Sequence, residues 1–373
     1  MAAIILKVTE QCNSNCYYCD VVFKQNTGTS MPLEVLEMVF RRSDEYLKQC
    51  PAEKITMIWH GGEPLLLGPD YYASALEFQD RHCPTTKSRI DHSIQTNLTC
   101  FKEDFVAIFQ KLGITSVGTS YDPIPRLRGP GQQDSEKYNR MFMDALALLR
   151  RKNIDWGMIY VVTKKTLEKP LDVFFFLTNL QPRGAIMFNP VLIYDDQRKD
   201  VAITPEEFVE FLGAIFPVWW KYRDRYPEIE PFKSLAKNII EKKHELSCND
   251  SGACSHSHIN ITPDGETSQC GRSADWNLLL YGNIRNKSLE EILDHPLRAE
   301  LHGRSKILRE NDCKECIYWE LCHGGCPLDS FSQHKSFLHK SEWCGVKAGF
   351  IEKYFEPVTG AKFTPSEGAN VNE

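Results

Sequence analysis

Cys12, Cys16 and Cys19 are spaced C-x3-C-x2-C in the segment EQCNSNCYYCDVV. Structural zinc sites close with four protein ligands. A [4Fe–4S] cluster has four irons, so three thiolates leave one iron without a protein ligand. That iron is then open to bind a substrate or cofactor directly. Half of a zinc site is the competing reading, but no C-x2-C pair lies nearby to complete it. Tyr18, before the last cysteine, adds an aromatic cover.

A second group of cysteines lies in the C-terminal third. It comprises Cys248, Cys254 and Cys270, then Cys313, Cys316, Cys322 and Cys326 spaced C-x2-C-x5-C-x3-C, and finally Cys344. Eight thiolates suit two four-ligand sites, of zinc or of iron–sulfur type. Three more of the fourteen cysteines, Cys50, Cys83 and Cys100, stand alone and read as ordinary thiols.

The 373 residues are one-quarter charged, with a net charge of −6 and both signs mixed along the chain. No basic run favours nucleic acid, and no apolar run is long enough to cross a membrane. The apolar start MAAIILKVTEQCN is too short for a signal sequence. A cytoplasmic protein is expected, where structural disulfides are rare.

The elements that must position these residues alternate. Strands are predicted over 3–9, 54–60, 89–95, 114–121, 154–162 and 184–193, with helices over 32–48, 70–81, 102–112, 135–152 and 170–180. A further helix starts at Thr204 as N-cap, with Pro205 in first position and Glu207 completing a capping box. Alternation of this kind predicts an α/β fold with a parallel sheet. Six units predict a partial (β/α)6 TIM-type barrel, over residues 1–235 with a helical insert at 205–245. Functional loops then gather at the carboxyl ends of the strands. The cysteine loop, HGGEP, TN and DPIPRLRG follow the first four strands. Beyond residue 235 cysteines become dense. INITPDGETSQCG predicts a hairpin, SLEEILDHPLRAELH a helix, and 236–356 a second, metal-organised domain. The tail 357–373 reads as polar and disordered.

The triplet and its aromatic resemble the signature of the radical S-adenosylmethionine superfamily. Gly61, Gly62 and Glu63 resemble its GGE motif, in which glycines admit close backbone approach and Glu63 can accept from the cofactor's ammonium. The resemblance further implies Asn97 near the cofactor, with Leu98 where a glycine is usual. It implies Ser120 at the ribose and Arg128 at the carboxylate. Arg126 is the alternative there, because the usual His-Asp pair reads Ile124-Pro125. The implied chemistry is reductive cleavage of S-adenosylmethionine and hydrogen abstraction by the 5′-deoxyadenosyl radical.

The eight C-terminal cysteines resemble the SPASM domain. The resemblance assigns Cys248, Cys254, Cys270 and Cys326 to one auxiliary cluster. It assigns Cys313, Cys316, Cys322 and Cys344 to a second, making three [4Fe–4S] clusters in all. It implies a peptide or protein substrate and a flavodoxin- or ferredoxin-type electron donor. Anaerobic sulfatase-maturating enzymes share this architecture and, like this chain, have no extension before the first strand. They carry an aspartate after the third SPASM cysteine, where this chain has Gly271, and an aromatic pair where it has Asp20-Val21. These departures rank side-chain cross-linking in a ribosomally made peptide first and formylglycine formation second. With Gly271 unable to take a proton, Asp20 and Asp122, both on the cofactor face, are the candidate bases.

Overall fold

The structure is a computed structural model that describes residues 2–19, 28–122, 124, 135–193 and 196–365. It divides into two compact units, one of residues 1–159 and 255–299, the other of residues 160–254 and 300–373.

In the first unit, β1 (Ala2–Thr9), β2 (Ile55–Gly61), β3 (Ile90–Thr96), β4 (Ser116–Ser120) and β5 (Asp155–Val162) pair in chain order, all parallel. Between them run α1 (Leu33–Gln49), α2 (Gly68–His82), α3 (Glu103–Leu112) and α4 (Ser135–Arg151). Each predicted strand and helix over this stretch is present within about two residues, the usual play of element ends. Alternation along the strands sorts the side chains. Ile4, Leu6 and Val8 of β1 and Ile55, Met57 and Trp59 of β2 are completely buried on one face. The other face carries Lys7 and His60, which are register partners, with Gln95 next along β3. That row is polar, unlike the apolar row of the opposite face.

The free edge of β1 would expose unpaired backbone groups. It is covered by β8 (His258–Ile261), which pairs with β1 in parallel, followed by antiparallel β9 (Glu266–Ser268) and β10 (Leu280–Asn283). The Pro263-Asp264-Gly265 hairpin forms as predicted, with Gly265 at φ +88°. Segment 255–299 therefore packs with the N-terminal strands, and the compact units cut across the predicted boundary at 235. The predicted helix over 288–302 is two helices, α7 (Leu289–Leu293) and α8 (Pro296–His302), because Pro296 cannot continue the first.

The second unit holds the end of β5, α5 (Pro170–Asn179), β6 (Ile186–Pro190) parallel to β7 (Ile229–Glu230), and α6 (Pro205–Lys221). Thr204 and Glu207 form the predicted capping box. The predicted insert is packed: Phe216 of α6 meets Phe232, Phe350 and Phe355 at ring-centroid distances of 5.1, 5.2 and 5.5 Å. Part of the tail is also ordered, since Phe363 stacks on Tyr318 at 5.5 Å.

Candidate active site

The three-cysteine loop leaves β1. Its turn is closed by the Cys19 amide donating to the Cys16 carbonyl at 3.1 Å. Cys16 is buried, and Cys12 and Cys19 are half-buried. Burial pushes the Cys12 thiol up to about 12, and the charges of Glu63, Cys16 and Cys19 act in the same sense. Such thiols ionise on meeting a metal, which fits them as iron ligands. Among the described residues, no three His, Cys, Asp or Glu side chains converge on a single-ion site. A cubane offers each thiolate its own iron, so convergence on one point is not required.

The loop is held from β2 and β3. The Gly62 amide donates to the Thr9 carbonyl and the Glu63 amide to the Gln11 carbonyl, both at 2.8 Å. A Cβ on Gly61 would stand 2.2 Å from the Thr9 carbonyl oxygen, and one on Gly62 2.2 Å from that of Gln11. The close approach these glycines permit is therefore to the chain entering the cysteine loop. Glu63, the expected ammonium acceptor, is already engaged inside the protein. It is completely buried. Its Oε1 accepts from the Leu65 amide at 2.9 Å and the Thr96 hydroxyl at 2.7 Å, and its Oε2 accepts from the Asn97 amide at 2.7 Å. The carboxylate braces two loops.

Asn97 continues this bracing. Its Nδ2 donates to Asn13 Oδ1 at 2.9 Å and Ser14 Oγ at 3.1 Å, both inside the cysteine loop. Its Oδ1 accepts from the Thr99 amide and hydroxyl. Leu98, where a glycine is usual, is buried at φ +63°, in the left-handed region that favours glycine. Cys100, which the sequence leaves isolated, accepts from Asn13 Nδ2 at 3.2 Å and belongs to the same surroundings.

Ser120 ends β4, and its Oγ accepts from Gln95 Nε2 at 3.2 Å. Asp122 is buried, and its Oδ1 accepts from the Ile124 amide at 3.0 Å, so it caps the start of that loop. Asp20, Arg126 and Arg128 lie outside the described residues.

Sequence reading missed Lys7, His60 and Asp275. Lys7 is buried on β1, forms an ion pair with Asp275, and has Glu10 at 3.9 Å. His60 takes the Gly61 amide on Nδ1 at 2.7 Å. Burial, then the Lys7 charge, holds its pKa below the usual imidazole value. The only signal was a lysine and a histidine breaking otherwise apolar strands.

The C-terminal cysteines divide between the units. Cys270 lies in the first, where its sulfur accepts from the Ser273 amide as the N-cap of a short helix (Gly271–Asp275). The other seven lie in the second. Burial pushes the Cys313 thiol up to about 11, with Cys322, Cys316 and Cys344 acting in the same sense. Cys322 is likewise up to about 11, and Cys316 and Cys344 raise it too. These four form one predicted ligand set.

Residues 6–177 match the Radical SAM superfamily, and residues 253–317 match an iron–sulfur cluster-binding domain of SPASM type. The chain is 27% identical over 350 residues to a serine-type anaerobic sulfatase-maturating enzyme of Bacteroides thetaiotaomicron, covering 86% of this chain and 81% of that one. It is 25% identical over 375 residues to a cysteine-type anaerobic sulfatase-maturating enzyme of Clostridium novyi, covering 96% of each. Native anSMEcpe, solved with bound AdoMet and the Kp18Cys peptide, shares the fold with a TM-score of 0.80 at 23% identity, over 96% of this chain and 98% of that one. No helix among the described residues is long and apolar enough to cross a membrane. With the three-cysteine loop on the first strand and the cysteine-rich module beyond the barrel, this chain is a radical SAM superfamily enzyme with an iron–sulfur SPASM domain.

Proposed function

We propose that this enzyme oxidises a serine or cysteine side chain of a protein substrate to formylglycine, the reaction of sulfatase maturation. The observation that carries the reading is the extent of the likeness. The two relatives run alongside 86% and 96% of this chain, through barrel and cysteine module alike. This reverses the order drawn from the sequence, in which cross-linking stood first.

S-Adenosylmethionine bound at the N-terminal cluster supplies the agent that removes a hydrogen atom from the substrate's β-carbon. The rest falls to the chain. Oxidation of a CH–OH or CH–SH carbon must also remove a proton and an electron; from serine this gives the aldehyde, and from cysteine a thioaldehyde that water hydrolyses to the aldehyde with release of hydrogen sulfide. The proton acceptor is Asp122 or Asp20, the electron leaves by way of the C-terminal cysteine module, and a flavodoxin- or ferredoxin-type protein supplies the electron that starts the cycle. Gly271, where the sulfatase maturases carry an aspartate, is not forced by packing. A Cβ built there meets only Asn260 Oδ1, at 4.0 Å. A side chain would fit, so its absence indicates a base placed elsewhere. Arg128, with Arg126 as alternative, pairs with the cofactor carboxylate, and Ser120 lies at its ribose.

The test uses anaerobic, iron-loaded enzyme with S-adenosylmethionine, a chemical reductant and a sulfatase peptide carrying the target serine or cysteine. Formation of an aldehyde that reacts with a hydrazide supports the proposal. Loss of two hydrogens without any aldehyde would identify a cross-link and overturn it. Asp122→Asn should keep its iron and still form 5′-deoxyadenosine while making little aldehyde. Aldehyde at the parent rate would move the base to Asp20 or to the substrate.

A further inference from the structure

Arg304 opens helix α9 (Arg304–Glu310) in the second unit and is 4% exposed. Its guanidinium makes five hydrogen bonds, all to main-chain carbonyls. Nε donates to Phe337 at 2.6 Å, Nη1 to His323 at 3.3 Å and Gly325 at 2.9 Å, and Nη2 to Gly324 at 3.1 Å and His339 at 2.8 Å. Three acceptors are consecutive. His323, Gly324 and Gly325 all have positive φ, at 44°, 76° and 73°, which turns their carbonyls toward one donor. A Cβ on Gly324 would stand 2.4 Å from Leu308 Cδ1, and one on Gly325 2.7 Å from Ser341 Cβ. Both positions require glycine. The HGG between Cys322 and Cys326 is thus a cradle for Arg304.

A buried cation is costly unless negative charge stands near it. Among the described residues no carboxylate accepts from Arg304. Burial holds its pKa below the usual arginine value, and the groups that oppose this are Cys326, Cys254, Cys313 and Cys322, in that order. The first two belong to one predicted ligand set and the last two to the other. The stretch that Arg304 clasps joins the two sets through Cys322 and Cys326.

We propose that Arg304 is the shared counter-charge of the two auxiliary clusters, holding both reduction potentials up while it fixes the loop that carries a ligand of each. The inference rests on the assignment of these cysteines to two clusters. A cubane on four thiolates is anionic and gains one more negative charge on reduction, so a nearby fixed cation favours the reduced form. The role is one of positioning and electrostatics. It would help an auxiliary cluster accept the electron that substrate oxidation releases.

The test is an anaerobic redox titration of the whole, iron-loaded enzyme, followed by electron paramagnetic resonance, for the parent, Arg304→Gln and Arg304→Lys. Arg304→Gln should retain its iron and show both auxiliary midpoints lowered by at least ~59 mV, a tenfold change in a one-electron equilibrium. Arg304→Lys, which keeps the charge, should stay near the parent. Parent potentials in iron-replete Arg304→Gln would overturn the proposal. If Arg304→Gln fails to load, Arg304→Lys decides. Iron and potentials near the parent support the counter-charge. Failure of both variants would overturn it, leaving a purely structural fork. A parent enzyme lacking auxiliary-cluster signals would instead refute the cysteine assignment.

Discussion

The Glu63 carboxylate and the Asn97 main-chain amide meet at 2.7 Å, so the loop after β2 holds the loop after β3. Asn97 in turn holds the cysteine loop after β1 through Asn13 and Ser14. Three loops from three adjacent strands are thereby fixed by one buried carboxylate. Glu63→Gln turns one acceptor edge into a donor that faces other donors. An unsatisfied buried group costs roughly 1–3 kcal/mol. The urea midpoint of the variant should fall by an equivalent amount. An unchanged midpoint would show that this bracing adds no net stability.

Replacing Cys12, Cys16 and Cys19 with Ala should remove one cluster of three. Iron should fall from about twelve to about eight per chain, since each cubane holds four. Reductive cleavage of S-adenosylmethionine should stop. A triple variant that still forms 5′-deoxyadenosine would disprove the placement of the open cluster. Iron analysis and chromatography of the nucleoside together decide.

Lys7 and Asp275 form an ion pair with side chains 6% and 11% exposed. Removing one partner of such a pair strands a buried charge, at about 3–5 kcal/mol. Asp275→Asn should therefore destabilise the protein by roughly that much in denaturant unfolding. Lys7→Met combined with Asp275→Leu should recover most of the loss. Additive losses in the double variant would show that the pair is not coupled.

His92 provides a pH signature. Trp59 Nε1 donates to its Nδ1 at 3.2 Å, and burial lowers its pKa to about 4. In the unfolded chain its pKa is near 6.5. The folded value is the lower one, so the unfolded state binds the extra proton between pH ~6.5 and ~4. Stability is whole above the unfolded pKa and declines as pH falls toward 4, by up to about 3 kcal/mol. His92→Gln should flatten this slope. Equal slopes for parent and variant between pH 7 and 5 would assign the acid sensitivity to other groups.

Much of this protein could be read along the chain. The barrel strands and helices announce themselves by local alternation and caps, as at Thr204 and Glu207, because those signals lie within a few residues of one another. Cysteine spacing pointed to a three-ligand cluster and an eight-cysteine module, because metal ligation constrains residue type and short-range spacing together. What Glu63, Asn97 and the paired glycines do was decided only by tertiary structure. Glu63 reaches Asn97 across 34 residues and Asn97 reaches Asn13 across 84, so no local pattern could show that the motif braces its own chain. The same holds for Lys7 with Asp275, 268 residues apart, and for Arg304 with the loop it clasps. A buried charge is legible only with its partner, and the partner is chosen by the fold.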